Sequence, residues 1–401
     1  MQLCFFEDQK SVHFHPLTLT RPLDDLRIGI FTITEKWARA LSASRTARIL
    51  RPELQEVFDS GTINAEEHCL WINSRYLPSK KLLREINDLG EGQCLRNNAT
   101  IIAARVSGTE SWQWLEDNKP NFNNLFVLET PDFLALSHLW DLFQLNGNQI
   151  LADINLLGSS HTTKGTVSEH AVLECPENII IEEGATIEAG CVLNAQNGPI
   201  YIGTDTTVMS GSHIRGPVAV GEKSTIQMGA RIYADTTIGP HCKVGGEVNN
   251  SIFHSYSNKA HDGYMGNSLI GQWCNIGADT NTSNLKNNYS TIRITDWEQQ
   301  EEIETGQQFF GAVIADHTKT AINTQLNTGT ICGVSCNIFS ADFPPKFIPS
   351  FSWVGSNVIQ SYRLDKAFEA MEAMMSRRNI SMDESYRKMM ELLFQNSRSS
   401  L

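Results

Sequence analysis

Between positions 258 and 286 the chain gathers Lys259, His261, Tyr264, Asn284 and Lys286. A histidine titrates near neutral pH and can take or return a proton, so such a group suits proton transfer to or from a bound polar ligand. Each residue also has a structural reading: a solvated loop histidine, a tyrosine at a core edge, an asparagine ladder, an exposed lysine. Their placement favours chemistry, because a regular repeat is interrupted there twice. Val244 to Ile270 spans 26 residues, two more than four hexads, which predicts a bulge carrying Asn258 to Gly266. A second break follows Gly277 to Lys286, where about twenty-five residues precede Phe309. With roughly 18 residues to a coil, His261 and Asn284 are predicted on adjacent coils of one face, close enough to share a ligand.

The element that must position them is a solenoid. From Ile202 an aliphatic β-branched residue recurs every sixth position, through Val208, Ile214, Val220, Ile226, Ile232 and Ile238 to Val244. Four residues after each stand Thr206, Ser212, Val218, Ser224, Ala230, Thr236, Cys242 and Val248, all small or β-branched. The frame appears earlier at Ile181 and Ile187, returns shifted at Ile270 and Ile276, and weakly at Ile322 and Val334. A period of six belongs neither to a helix nor to a free strand, so it predicts short strands and turns stacked three to a triangular coil. The aliphatic residue then points inward from each flat face, the small one sits near the corner, and successive coils pair as parallel strands. A β-sandwich with regular turns would instead alternate polar and apolar at period two.

Residues 1–150 carry no hexads and read as α/β. Strand-like runs at Leu3 to Phe6, Cys69 to Ile72, Thr100 to Ala104 and Leu125 to Leu128 alternate with helical patterns. Those patterns fall on Ile33, Trp37 and Leu41, on Ser79 to Asn87, and on a stretch starting at Thr130-Pro131 and running towards Gly147, which together predict a doubly wound sheet. Residues 151–345 hold the solenoid. In 346–401 the end of a Pro-rich stretch leads into helical spacing over Leu364 to Arg378 and Met382 to Gln395, with Ser381 as a cap. A net charge of −13 over 401 residues, 19% of them charged, and no basic run set nucleic acid aside as a partner. No apolar segment approaches 18 residues and the N-terminus lacks an apolar signal core, so neither membrane nor export is expected. Nine cysteines, odd in number and without a CxxC pair, argue against a disulfide framework or a thiolate zinc site and for a reducing cytoplasm.

The hexads resemble those of the left-handed parallel β-helix of hexapeptide-repeat acyltransferases. The left hand comes from that resemblance, since the general crossover rule favours the other. Segment 258–286 is similar to the acetyltransferase half of the bifunctional family that joins glucosamine-1-phosphate acetyltransferase to N-acetylglucosamine-1-phosphate uridyltransferase. That family carries a KAGHxxYxG stretch, matched here by Lys259-Ala260-His261 and Tyr264 with one residue deleted. A following GAGT stretch with a later asparagine is matched by Gly277-Ala278-Asp279-Thr280 and Asn284. Gly311 to Asn323 resembles archaeal-type members, and the match covers roughly 180–345. The resemblance implies that His261 is the general base, Tyr264 a substrate contact, and Asn284 a group that orients the acceptor or donates to the oxyanion. The family's phosphate-binding Arg and Lys, expected near Tyr233 and Asn250 to Ser251, are missing, and Lys259 or Lys286 is the expected substitute.

Phe6 to Ile28 resembles the LAAGxGTRLxPLTLTRPKPLLPI signature of sugar-nucleotide pyrophosphorylases, with His15 to Pro22 the best-kept part. The signature's glycines are Gln9 and Ser11 here, Lys10 survives between them, the second lysine is Leu23, and Asn73 stands at the metal-binding aspartate. Lys10, Arg21, Asp25 and Asn73 are the expected nucleotide contacts. The whole is identified as a divergent bacterial sugar-nucleotidyltransferase group. Its implied fold is a truncated nucleotidyltransferase-like Rossmann sheet, then the left-handed β-helix and a short C-terminal helical segment. The implied function is acyl transfer from acetyl-CoA or another acyl-CoA to an amino-sugar phosphate in UDP-N-acetylglucosamine-type biosynthesis. UTP and Mg²⁺ enter only if the front domain is active, and a cytoplasmic homotrimer is expected. One alternative is a sugar-1-phosphate nucleotidyltransferase whose β-helix serves trimerisation. Another, a γ-carbonic-anhydrase-like metal hydratase, needs an HxxxxH pair that the seven histidines from His161 to His317 do not offer.

Overall fold

The computed structural model describes residues 1–158, 163–356 and 358–397, which leaves His161 outside. Two compact units alternate along the chain. Met1–Phe14, Thr20–Leu26 and Phe31–Leu139 form the first, and His15–Leu19, Arg27–Ile30 and Trp140–Leu401 the second.

The first unit is built on a six-stranded sheet in the order Arg45–Arg48, Gln2–Phe6, Cys69–Asn73, Thr100–Val106, Gln93–Asn97, Phe126–Glu129. The first three strands are parallel, whereas Thr100–Val106 runs antiparallel to both neighbours, so the sheet is mixed rather than doubly wound throughout. Gln2–Phe6 is buried along its whole length, as a central strand covered on both faces must be. Thr32 and Glu35 form a capping box at the start of Ile33–Ala40, and Ser79 caps Lys80–Asn87. The helix predicted from Thr130-Pro131 begins instead at Leu139. The Thr130 N–H continues the sheet pairing to the Arg96 carbonyl, and the Leu136 N–H and carbonyl are both bound by Arg75, which holds the intervening chain off the helical path.

The second unit is a parallel β-solenoid. One face is a nine-stranded sheet from Ile179–Ile181 to Phe347–Ile348, so the coil passes the expected boundary at 345. Ile202 pairs with Val220 and Val220 with Ile238, eighteen residues apart each time, as three hexads require. All eight aliphatic positions from Ile202 to Val244 are buried in one core, and their small companions are buried too. The companions do more than fit: Thr206, Ser212 and Ser224 donate from Oγ to turn carbonyls of the next coil, at Gly221, Gln227 and Gly239, at 2.7, 2.8 and 2.9 Å. Cys191, Cys274 and Cys336 bring Sγ to 3.1, 3.2 and 3.1 Å from equivalent carbonyls. A small donor at the corner therefore satisfies backbone that stacking alone would orphan. All nine cysteines are free.

The first break is a contraction, not a bulge. Ile238 pairs with Phe253, fifteen residues on, and Phe253 with Ile270, seventeen on. Val244 and Ile270 lie on different faces, since Val244 pairs with Lys259 and Ile270 with Phe253, so the 26 residues between them are not a whole number of coils. The second break is an excursion closed by the Leu285/Phe309 bridge and containing an antiparallel hairpin of Arg293–Thr295 with Glu302–Glu304. Ile322, expected to point inward, is exposed because it precedes the left-handed corner at Asn323 (φ 58°).

Helix Leu139–Leu157 is fixed within this unit by buried polar groups. Asn146 accepts from the Gly29 N–H at 2.7 Å and donates to the Asp235 carbonyl at 2.8 Å. Gly147 is required beside it, since a Cβ would lie 1.8 Å from Asp235 Oδ1. Helices Leu364–Ser376 and Glu384–Ser397 follow the solenoid strands. The second starts two residues later than predicted, and Asp383, not Ser381, accepts from the Tyr386 N–H at 2.8 Å.

Candidate functional site

One solenoid face is the parallel sheet of Val172–Glu174, Val192–Asn194, His213–Arg215, Arg231–Ile232, Glu247–Asn249 and Tyr264–Gly266. Alternation turns Leu193, Ile214, Ile232, Val248 and Met265 into the core and leaves one outward column of Val192, His213, Arg231, Glu247 and Tyr264. A groove of about 400 Å³ crosses it, lined by Asn194, His213, Arg215, Arg231 and Tyr233.

At the last strand, two coils meet. Asn284 donates from Nδ2 to Tyr264 Oη at 3.0 Å and to Asn267 Oδ1 at 2.7 Å. The Asn281 side chain accepts from the Tyr264 N–H at 2.7 Å and Thr282 from the Gly266 N–H at 3.1 Å, so the register between the coils is set by side chains. Burial pushes the Tyr264 phenol up, against the pull of hydrogen bonds from Asn249 and Asn284. His261 is exposed on the turn that joins Asn258–Lys259 to Tyr264–Gly266, three residues before Tyr264. The adjacent coil lies directly against that turn: the Asp279 N–H donates to the Asp262 carbonyl at 2.9 Å, and a Cβ on Gly263 would sit 2.3 Å from the Thr280 carbonyl oxygen. The structure thus joins Tyr264 to Asn284 and leaves His261 on the corner at the other end of the same strand.

The two lysines are elsewhere. Lys259, expected at the substrate, points into the coil at a position where Ile226 and Val244 stand in the preceding coils, and is 0% exposed. Lys286 donates to the Thr291 carbonyl at 2.8 Å and so ties the excursion loop to itself.

In the first unit, the residues replacing the signature's glycines lie in a 3-10 turn over Gln9–Phe14. Lys10 is exposed there, and its N–H binds Asp8 Oδ1 at 3.0 Å. Asp8 also receives Arg75 at 2.8 and 2.6 Å and Asn73 at 2.9 Å. Burial acts to raise the Asp8 carboxyl, but the hydrogen bonds from Arg75 and Asn73 outweigh it and hold it below the usual range. Arg21, 2% exposed, pairs with Asp25 at 2.8 Å, and burial still pushes the Asp25 carboxyl up. Arg75 was not anticipated, since only its place two residues after Asn73 marks it in the sequence. With Asn73 in place of a carboxylate and Asp8 bound bidentately by Arg75, this strand end does not suit Mg²⁺. Among the described residues no group of three or more His, Cys, Asp or Glu could hold a metal ion, and no helix is long and apolar enough to cross a membrane.

Residues 3–162 match the model of a family described as sugar nucleotidyl transferase. The chain is 28% identical over 120 residues, 30% of its length, to a bifunctional protein GlmU of Methanococcus aeolicus, of which it covers 25%. It is 29% identical over 277 residues, 61% of its length, to a bifunctional sugar-1-phosphate nucleotidylyltransferase/acetyltransferase of Sulfurisphaera tokodaii, of which it covers 68%. The chain thus spans a quarter of the first relative and about two thirds of the second. Among solved structures, UDP-N-acetylglucosamine acyltransferase from Campylobacter jejuni aligns with 57% of this chain and 93% of its own, at 14% identity and a TM-score of 0.22. The polysialic acid O-acetyltransferase OatWY aligns with 50% and 85%, at 14% identity and a TM-score of 0.18.

Proposed function

We propose that this protein is a sugar-nucleotide pathway transferase whose solenoid moves an acyl group from acyl-CoA to the amine of an amino-sugar phosphate. The observation that carries the reading is the Tyr264 to Asn284 hydrogen bond, which joins two coils at 3.0 Å on the strand that follows the corner bearing His261. A sugar amine attacks a thioester only when unprotonated. His261 takes the amine proton as the N–C bond forms, Asn284 orients the acceptor or donates to the developing oxyanion, and the thiolate of CoA leaves and is protonated. The first unit keeps the fold of a sugar nucleotidyltransferase with a remodelled loop. The match of residues 3–162 favours a second reading, in which that unit acts on a sugar 1-phosphate and UTP while the solenoid serves assembly. We place the protein in the cytoplasm, where nine free thiols persist, as a homotrimer.

Release of free CoA from acetyl-CoA and glucosamine 1-phosphate tests the first reading. His261→Ala should lower turnover by about 10²–10⁴ with an unchanged melting temperature. Full activity in that variant, or no turnover by the unaltered chain with any amino sugar tried, removes the assignment.

A further inference from the structure

Six successive coils each place an inward residue on the face formed by Thr166–Val167, Thr186–Ile187, Thr207–Val208, Thr225–Ile226, Lys243–Val244 and Asn258–Lys259. In five of these strands it is Val or Ile; in the sixth it is Lys259, fully buried. Its ammonium donates to the Gly245 carbonyl at 3.1 Å and to the His261 carbonyl at 2.9 Å. Room for it depends on Gly246 (φ 68°), where a Cβ would lie 2.8 Å from both Lys259 Nζ and the His261 carbonyl oxygen. A cation inside an aliphatic column costs stability that a methionine would not, and no fold requirement explains it, because the neighbouring coils close without one.

We infer that Lys259 is a positioning residue, whose ammonium grips the turn carbonyls of two successive coils from inside and so fixes the corner from which His261 projects. This rests on His261 acting as the base. Burial lowers the ammonium to about 8, against the carboxylates of Asp262 and Asp279, while Arg231 reinforces the fall. The His261 ring lies on the same turn. A lysine that binds its proton less well when folded destabilises the fold below about pH 8, and the cost fades as pH rises towards the ordinary value of 10.5.

The test compares Lys259→Met and Lys259→Gln with the unaltered chain and with His261→Ala. Lys259→Met should melt higher at pH 7, with the gain shrinking by pH 10, while kcat falls roughly 10–100-fold and KM for acetyl-CoA stays put, the mark of a misplaced catalytic group. Lys259→Gln, which keeps a donor, should recover part of kcat, and it decides the matter alone if the methionine variant fails to fold. The His261 ring signal in nuclear magnetic resonance should shift in both variants. Wild-type kcat in both, beside a crippled His261→Ala, overturns the positioning role and leaves the base intact. A lower melting temperature for Lys259→Met at pH 7 overturns it too. An active His261→Ala would instead mean that the functional reading had failed.

Discussion

Gly266 is what allows Tyr264 and Asn284 to meet. A Cβ there would stand 2.3 Å from Tyr264 Oη and 2.7 Å from Asn284 Nδ2, so any side chain drives the pair apart. Gly266→Ala should therefore cost acyl transfer about as much as Asn284→Ala, roughly 10–10³-fold, with about 1–3 kcal/mol of stability lost to overpacking. Gly229 supplies the control. Its φ is positive, at 69°, which that of Gly266 is not, and nothing lies within 4 Å of a Cβ there, so Gly229→Ala bears backbone strain alone and should keep its turnover. Steady-state kinetics and melting curves on the three variants check this. Equal turnover in Gly266→Ala and Gly229→Ala would detach the pair from the reaction.

The elements were legible in proportion to how strictly they repeat. Period six marked every inward position from Ile202 to Val244, and with them the strands, because each coil must bury one aliphatic residue per face. It could not mark Lys259, since the next coil is fifteen residues long rather than eighteen and carries a charge where a hydrophobe is the rule. His261, Tyr264 and Asn284 are candidates on the ground of motif and interruption, not of contact. The Tyr264 to Asn284 bond needed the seventeen-residue spacing of the following coil, which no hexad count gives. In the first unit, strands such as Cys69–Asn73 followed from apolar runs, while the chain after Thr130 was set by distant Arg75 and Arg96 and had no local signal. The lock of Asp8, Arg75 and Asn73 was equally silent. It contributes stability above the ordinary carboxylate value of about 4 that is lost as pH falls through the lowered folded value. Arg75→Met should cost about 3 kcal/mol at pH 7, and less near pH 3, because it strands a partly buried carboxylate. With that lock and a 3-10 turn in place of glycines, pyrophosphate release from UTP and N-acetylglucosamine 1-phosphate should run at least about a hundredfold below an enzyme with an intact loop. Robust release abolished by Arg21→Ala would show that the site has been rebuilt.

For the whole molecule the question is what covers the corner that carries His261. The positions preceding its left-handed turns run Ser210, Met228, Gly245, Asp262, Ala278 and Ile322, and of these Met228 and Ile322 are 68% and 69% exposed. Exposed apolar side chains in a column along one edge mark a surface that associates, and a ligand held at a corner gains enclosure if a second chain packs there. A closed ring of identical chains places the same edge of each subunit against its neighbour, and three is the number implied by the resemblance to hexapeptide acyltransferases. Light scattering at micromolar concentration should accordingly give three times the chain mass of 44.8 kDa. Met228→Asp together with Ile322→Asp should weaken that assembly and lower acyl transfer in step with it, each substitution placing a charge where the neighbour's surface would have to desolvate it. A stable particle of 44.8 kDa with full turnover would mean that one chain completes the site by itself, and the enclosure would then have to come from within the second unit.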